Sequence, residues 1–402
     1  MTNFPLQGLR VLDFGQGVAG PYCAQLLGDH GADVIKIEPP RGDWCRTLGA
    51  QAASGFTGAF ISVNRNKRAL CLDLKHAEAV RIARILALKA DVVLESFRPG
   101  VMERLGLGYE ALRKENPKLV YCDVTGFGAS GPNIDLPATD STMQAYGGLM
   151  SINGELDGEP LRVGNVVSDM LAGMNAFSGV LLALLSRGAS GVGRRTSVSL
   201  LDSIVAFQAP TISEYLVTGK APRRVGNQHP LSAAAGVYRT SNGAISFTVM
   251  ERKWTRFCSG LALDRLIDDP RFSTSGARQN NRDALREVLV PMFLAKSTEE
   301  WLAILRGMDL NCAPINAYPA LLKDPQVVHN GLLQSISHAG EPNLPTLRNP
   351  VRLEDEPARL ARPPRKGEHS NDILARELGF SAGEIEALNA SGAAYQADGA
   401  TS

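Results

Sequence analysis

Short apolar segments alternate with longer segments of helical apolar spacing through the first half of the chain. The apolar segments predict strands over 9–14, 33–37, 70–74, 91–95, 119–124 and 195–199. Apolar residues three or four positions apart predict helices over 21–31, 76–89, 108–116, 141–149, 169–187 and 200–218. Because strands and helices alternate, we predict an α/β fold with a doubly wound, mostly parallel sheet.

The pattern changes near residue 226. The segment GVYRTSNGAISFTV, residues 236–249, predicts a hairpin with a Ser-Asn-Gly turn. Later helices are expected over 254–261, 281–294, 297–308 and, as a pair, within 370–392. A capping box of Ser297 and Glu300 is expected at the start of the helix over 297–308. The small and polar residues among roughly the last ten predict a disordered tail. This region is therefore an α+β module distinct from the first.

Length and composition narrow the class of protein. A chain of 402 residues can bury a large core and is expected to form about two domains. Lys plus Arg (42) and Asp plus Glu (41) nearly cancel, so no overall charge favours nucleic acid or a membrane as partner. The six cysteines form no C-x-x-C pair and are expected to be reduced. The histidine spacing predicts no metal site, and the apolar pattern predicts a soluble cytoplasmic protein.

A glycine motif follows the first predicted strand. Residues 15–20, GQGVAG, satisfy G-x-G-x-x-G, and the second predicted strand is followed by Glu38, as in nicotinamide dinucleotide sites. Pro21 argues against that ligand, because it removes one N–H group from the first helical turn. This stretch alone leaves open a nicotinamide site or a turn that approaches another phosphorylated or adenine-containing ligand.

A long helix is predicted to begin at Asp169. Its larger apolar face, expected to lie in the core, consists of Met170, Leu171, Met174, Phe177, Leu181, Leu184 and Leu185. A second, thinner face of small residues would permit close packing: Ala172, Ala176, Gly179 and Ala183. Asp169 itself is either a carboxylate that stabilises the first turn or one that stays ionised at neutral pH and attacks an acyl carbon. The pattern by itself favours the first role.

Two basic clusters are candidates for binding phosphates. Residues 65–68, RNKR, precede a predicted strand that is followed by Lys75, and residues 96–100, SFRPG, follow the next strand, with Arg104 nearby. At the ends of adjacent strands, these groups would hold phosphates. The alternative is an ordinary solvated charged surface. His229 is isolated and is predicted to be structural.

Several segments in a fixed order resemble the family III CoA-transferases of CaiB/BaiF type, which include formyl-CoA transferase and the carnitine CoA-transferases. The resemblance runs from about residue 6 to residue 388. It rests on LRVLDF, AGPYCAQLLGDHGADVIKIE, NRNKRALCLDLK, ESFRPGVMERLGLGYE, VTGFGASGP, GNVVSDMLAGMNAFSGVLLALL, RRTSVSLLDS and APINAYPALLKDPQ.

The resemblance implies that Asp169 is the nucleophile, working through aspartyl anhydride and aspartyl-CoA thioester intermediates. Coenzyme A enters as a substrate, and no tightly bound cofactor is implied. The implied CoA contacts are Val18, Ala19, Leu72, Lys75, Ser96, Phe97, Arg98, Arg104 and the segment 137–140, with Thr139 and Asp140.

The chain departs from individual relatives in ways that bear on substrate. Pro39, Pro137 and Thr139 replace an arginine, a lysine and a tyrosine of formyl-CoA transferase. The segment GNQHPLSAAAG, residues 226–236, is not the glycine-rich flap of that enzyme, so formyl or oxalate specificity is disfavoured. Thr139 also stands where the related α-methylacyl-CoA racemases have a histidine, so a second base for racemisation is missing. The pattern is closest to transferases that use succinyl-CoA and C4 to C6 dicarboxylates.

The family architecture implies a Rossmann-like large domain from residues 1–225 and 326–402 and a small domain from 226–325. It also implies an interlocked homodimer, with each active site between the large domain of one chain and the small domain of the other. The alternatives to transfer are a racemase, a nicotinamide-dependent dehydrogenase and a CoA-binding protein without catalysis.

Overall fold

The computed structural model describes residues 4–229, 232–338, 340, 342–354 and 356–396. Two compact units divide the chain. The larger contains residues 1–149, 162–218 and 328–402, and the smaller contains 150–161 and 219–327. The part of the predicted tail after residue 396 and two residues of the segment 226–236, residues 230 and 231, lie outside the described residues.

The strands of the described residues are β1 (Arg10–Asp13), β2 (Asp33–Glu38), β3 (Lys67–Leu72), β4 (Val92–Glu95), β5 (Val120–Thr125), β6 (Arg195–Ser199), β7 (Gln228–His229), β8 (Ser232–Arg239), β9 (Ala244–Thr248), β10 (Asn311–Pro314), β11 (Leu333–Ile336), β12 (Leu344–Leu347) and β13 (Ala394–Tyr395).

The α-helices are α1 (Ala19–Asp29), α2 (Gly58–Asn64), α3 (Ala77–Leu88), α4 (Val101–Arg104), α5 (Tyr109–Leu112), α6 (Asp140–Tyr146), α7 (Leu149–Ile152), α8 (Val167–Ser190), α9 (Leu200–Phe207), α10 (Ala209–Thr218), α11 (Trp254–Gly260), α12 (Ser275–Asn280), α13 (Arg282–Leu294), α14 (Thr298–Gly307), α15 (Tyr318–Leu321), α16 (Pro325–Asn330), α17 (Ser370–Asp372) and α18 (Ala382–Ser391). Short 3₁₀ turns cover Trp44–Thr47, Glu251–Lys253 and Asp264–Leu266, and a π turn covers Ile373–Glu377.

The larger unit is built on a seven-stranded sheet with the order β13-β3-β2-β1-β4-β5-β6. Strands β1 to β6 are parallel, and β13 pairs antiparallel with β3 at one edge. The order reverses between β1 and β4, which are neighbours although β2 and β3 lie between them in sequence. Ligands of doubly wound sheets bind at such a reversal, beyond the carboxyl ends of the strands. The predicted α/β fold with a mostly parallel sheet is confirmed.

The two faces of this sheet carry separate cores, because successive side chains of a strand point to opposite faces. Leu12 of β1 packs with Ile82 and Leu86 of α3 on one face. Val11 packs with Cys23 of α1 and residues of α8 on the other. The glycine turn after β1 therefore leads into α1 against the second face, where α8 also lies.

The packing of α8 corrects the predicted core face. The buried residues are small ones, among them Ala172, Gly173, Ala176, Val180 and Ala183. Met174 is 42% exposed and Leu185 is 75% exposed. Small side chains let the α8 backbone approach α1 closely, which turns part of the larger apolar face away from the sheet. Of the helices described, α8 alone is long and apolar enough to span a membrane by length and composition, and its face of small residues packs on α1 and the sheet.

Several other elements differ from prediction. The helix expected over 200–218 is two helices, α9 and α10, separated at Gln208, and Pro210 in the first turn of α10 cannot continue an earlier helix. The short helix α2 and strands β10, β11 and β13 were not predicted. In each case the element has at most seven residues, too few for an apolar period to show.

The smaller unit contains an antiparallel sheet of order β10-β9-β8-β7 covered by helices. The predicted hairpin is present as β8 and β9, and the predicted capping box of Ser297 and Glu300 opens α14. Aromatic residues fill the core, where the Trp301 indole N–H donates to the Phe293 carbonyl at 2.8 Å.

Candidate active site

The turn between β1 and α1 uses its own backbone donors internally. The N–H of Gly15 donates to Asp13 Oδ1 at 2.8 Å, that of Gln16 to Ser96 Oγ at 3.0 Å, and that of Gly17 to Asp43 Oδ1 at 3.0 Å. A dinucleotide fingerprint needs such N–H groups free to bind a diphosphate. The occupied donors therefore argue against nicotinamide binding at this turn.

Two buried ion pairs hold this turn in place. Lys36 Nζ lies 2.8 Å from Asp43 and Lys67 Nζ lies 2.9 Å from Asp13, and all four side chains are fully buried. Lys36 also donates to the Gly15 carbonyl at 2.7 Å. Because these charges are paired and inaccessible, they are structural.

The cations of the first basic cluster are engaged in internal ion pairs, which argues against the predicted phosphate binding. Arg65 forms a buried ion pair with Asp29, Lys67 is committed to Asp13, and Arg68 pairs with Asp33. The cluster lies at the amino end of β3, and two strands, β2 and β1, separate β3 from β4. The expected convergence of the two basic clusters at adjacent strand ends was therefore wrong.

Glu38 has a structural partner in place of a ribose. Its carboxylate accepts two hydrogen bonds from the Arg46 guanidinium, at 2.7 and 2.5 Å, and one from the Asp43 N–H at 2.9 Å. The Glu38 side chain is fully buried. A ligand hydroxyl cannot reach it without breaking this pair.

Helix α8 begins at Val167, two residues before the predicted start, so Asp169 is its third residue. Its neighbours Val166 and Met170 pack against an apolar cluster that includes Val18 and Phe60. Within the described part of the chain, no group donates a hydrogen bond to its carboxylate. The role of a hydrogen-bonded cap is thus unsupported, and the carboxylate oxygens are left available.

The electrostatics of Asp169 correct a further expectation. Burial raises the pKa of Asp169 to about 7, and the nearby Asp140 carboxylate adds to the rise. The helix dipole alone predicts a carboxylate that stays ionised at neutral pH. Burial and a like charge outweigh the dipole, so the free carboxyl group titrates near neutrality.

Asp140 is held by three donors. Its Oδ1 accepts from both the N–H and the hydroxyl of Ser168, each at 2.8 Å, and its Oδ2 accepts from Gln144 Nε2 at 2.8 Å. Ser168 immediately precedes Asp169, so Asp140 orients the first turn of α8. This contact was missed because residues 28 positions apart give no sequence signal.

The predicted CoA contacts fall into two groups. Val18, Ala19 and Leu72 are buried, and Ser96 contacts the glycine turn through Gln16. The others lie near the carboxyl ends of β3, β4 and β5: Lys75, Phe97, Arg98, Arg104, Thr139 and Asp140. Thr139 caps α6 in a capping box with Thr142 and so offers no base.

Three cations in the second group stand without partners. Lys75, Arg98 and Arg104 are exposed, and among the described residues their side chains make no hydrogen bond or ion pair. Unpaired cations at the carboxyl edge of a doubly wound sheet suit an anionic ligand.

Cys45 lies in the same apolar cluster as Val18 but is not a competing nucleophile. Burial raises the pKa of its thiol to about 12, so the reactive thiolate is scarce at neutral pH. Trp44, beside it in sequence, lies over Gly17, which has no side chain to obstruct the ring and adopts φ +78°. Neither Asp43 nor Trp44 was singled out from the sequence, although both follow the β2 strand closely.

Residues 6–370 match CoA-transferase family III. The chain belongs to this family. It is 35% identical to the succinate–glutarate CoA-transferase of Agrobacterium fabrum, over 92% of this chain and 95% of that protein. It is 34% identical to the succinyl-CoA:glutarate CoA-transferase of Mus musculus, over 98% and 91%.

Solved structures agree with this assignment. A CaiB/BaiF family protein from Brucella suis superposes with a TM-score of 0.84 at 34% identity, over 93% of this chain and 99% of that one. Rv3272 from Mycobacterium tuberculosis gives 0.82 at 31% identity, over 92% and 99%. The resemblance stated from the sequence motifs is confirmed, and the enzyme is a family III CoA-transferase.

Proposed function

We propose that this enzyme transfers CoA between carboxylic acids with Asp169 as the covalent nucleophile. The observation that carries the proposal is the partly buried Asp169 carboxylate, whose neighbours Val166 and Met170 pack on an apolar cluster and which has no hydrogen-bond donor among the described residues. A poorly solvated carboxylate loses little solvation when it attacks, and a pKa near 7 makes it more basic than an ordinary aspartate.

The transfer proceeds in four balanced steps. The Asp169 carboxylate attacks the acyl carbon of the donor thioester, forming a mixed anhydride and expelling CoA thiolate. The thiolate attacks the aspartyl carbonyl, which gives an aspartyl-CoA thioester and releases the donor acid. The acceptor carboxylate then forms a second anhydride and expels the thiolate again. Attack of the thiolate on the acceptor carbonyl yields the new thioester and restores Asp169.

The substrates are proposed from the relatives. The two relatives described above are named for succinate or succinyl-CoA and glutarate. We propose succinyl-CoA, or a similar thioester, as donor and a small dicarboxylate as acceptor. Lys75, Arg98 and Arg104 are proposed to hold CoA phosphates, and Val18, Ala19, Leu72, Ser96, Phe97 and Thr139 to line its path. Asp140 is proposed to act through the first turn of α8.

We also propose a cytoplasmic, interlocked homodimer with the domain division described for the family. Exposed apolar residues support a partner surface, since Leu182 and Leu185 of α8 and Leu216 and Val217 of α10 are each more than 65% exposed. Light scattering on the purified chain tests this, with a monomer as the contrary result.

The covalent step is tested by trapping. Enzyme incubated with succinyl-CoA is digested and analysed by mass spectrometry, with and without hydroxylamine. We expect a CoA adduct on the peptide containing Asp169 and its conversion to a hydroxamate. Binding of acyl-CoA with no adduct under turnover conditions would mean that the chain transfers CoA by another route.

A further inference from the structure

The smaller unit contains a cavity of about 310 Å³. One part of its wall is aliphatic, formed by Val225, Val237, Val290 and Leu294. The rest is polar and includes two arginines. A cavity with both kinds of wall suits a small ligand that has a short hydrocarbon part and a charged end.

Arg286 of α13 supplies the main polar feature. Its Nη1 atom is buried and has no hydrogen-bond partner among the described residues. The guanidinium lies over the Tyr238 ring, 4.6 Å from the centroid. A buried guanidinium N–H without an acceptor is costly, and an anion would supply that acceptor.

Arg282, beside the cavity, and Arg239, the second arginine of its wall, increase the positive charge there. Arg282, one helical turn before Arg286, donates to Gln228 Oε1 at 3.1 Å. Burial lowers the pKa of Arg282, and the charge of Arg286 lowers it further. Arg239 lines the exposed part of the wall. Like charges one turn apart repel each other, and a bound anion would relieve that repulsion.

Glu155 is the acidic residue of the wall. Its carboxylate lies against Gly226, and within the described residues no ion pair joins it to Arg239 or Arg286. The positive charge of the two arginines is therefore not cancelled by a direct pair.

We infer that this cavity binds a short-chain dicarboxylate. One carboxylate accepts from Arg286, the methylene chain contacts the aliphatic wall, and the second carboxylate lies toward Arg239. An inorganic phosphate would satisfy the cations but leave the aliphatic wall uncovered. The inference concerns the smaller unit alone and does not depend on the covalent role of Asp169.

Isothermal titration calorimetry on the full chain without CoA tests the inference, with glutarate, its neutral diamide glutaramide and inorganic phosphate as probes. We expect saturable binding of glutarate and much weaker binding of the other two. Hydrogen–deuterium exchange should show protection by glutarate within 282–294. Equal binding of phosphate, or protection confined to other segments, would overturn the inference.

Three variants sharpen the test. Arg286→Gln should weaken glutarate binding roughly tenfold, the equivalent of one lost charged hydrogen bond, while Arg256→Gln, on the exposed side of α11, should leave it unchanged. Glu155→Gln should strengthen binding, because it removes a negative charge from the wall. If Arg286→Gln proves unstable, the proposed site is still tested by the higher glutarate affinity expected of Glu155→Gln and by the comparison of glutarate with glutaramide. Unchanged affinity in Arg286→Gln, or weaker binding in Glu155→Gln, contradicts the site.

Discussion

Asp140 accepts hydrogen bonds from both the backbone N–H and the hydroxyl of Ser168, each at 2.8 Å, and thereby fixes the turn from which Asp169 projects. The same carboxylate raises the pKa of Asp169 through its negative charge. Asp140 thus has two separable effects on Asp169, one on its position and one on its pKa. Amide substitution removes the charge and keeps an acceptor for Ser168.

The first prediction concerns the pH dependence of the reaction. The kcat/KM for the acyl-CoA donor should rise with pH, with a midpoint near the Asp169 pKa of about 7, because attack requires the ionised form. Asp140→Asn should move this midpoint to lower pH, since it removes a charge that raises the pKa. Asp202→Asn, in the exposed first turn of α9, is the matched control and should leave the profile in place. A profile that does not move in Asp140→Asn contradicts the assignment.

Replacing the nucleophile should separate chemistry from binding. Asp169→Asn keeps the size of the side chain but cannot form the anhydride, so kcat should fall by roughly three orders of magnitude or more. CoA should still bind, because the proposed phosphate contacts lie on other elements. Steady-state kinetics measures the fall in kcat, and calorimetry with CoA measures whether binding is retained. Substantial turnover by the variant would refute the covalent role.

The unpaired cations should govern CoA affinity. Lys75→Ala and Arg104→Ala should each weaken CoA binding roughly fivefold, and the loss should shrink at high salt, because exposed charges are screened. Lys114→Ala removes an exposed lysine from the loop after α5 and serves as the control. Dissociation constants measured at two ionic strengths test the idea. Equal effects of Lys75→Ala and Lys114→Ala would show that Lys75 does not contact a phosphate.

The close approach of α8 to α1 can be tested by adding one methyl group. A Cβ on Gly173 would lie 2.8 Å from the Ala19 carbonyl oxygen and 2.9 Å from the Tyr22 ring. Gly173→Ala should therefore lower the free energy of unfolding by about 1–3 kcal/mol. Gly188→Ala lies on the same helix with nothing within 4 Å of the new methyl and should be neutral or slightly stabilising. Thermal unfolding measures the difference, and equal stability of the two variants would contradict the close approach of α8 to α1.

The buried ion pair of Glu38 and Arg46 should stabilise the fold, and Glu38 should not contribute to binding of a nicotinamide ligand. Glu38→Gln leaves the Arg46 charge without its carboxylate, and we expect a loss of about 3 kcal/mol in the free energy of unfolding. Glu78→Gln breaks the exposed pair with Arg81 and should cost at most about 1 kcal/mol. Denaturant unfolding distinguishes the two. Saturable NADH binding that depends on Glu38 would restore the dehydrogenase hypothesis.

The alternation of apolar segments was sufficient to predict the doubly wound sheet, because β1 to β5 are buried on both faces and give short continuous apolar segments. The motif order was sufficient to predict the family. The same pattern misjudged α8, because hydrophobicity predicts which residues avoid water but not which face can approach a neighbour most closely. The small residues of α8 form the contact, since they allow the closest packing against α1.

The sequence could not decide which roles the charged residues have. The sequence shows which charged residues stand at positions 38, 65, 67 and 169, and it shows the glycine motif at residues 15–20. Their roles depend on partners far away in the chain: Arg65 pairs with Asp29, and Lys67 with Asp13. The pKa of Asp169 is raised by burial and by the Asp140 carboxylate. The sequence determined the fold class and the family, while only the tertiary structure decided which charges are paired, because pairing and desolvation depend on distances that local patterns do not encode.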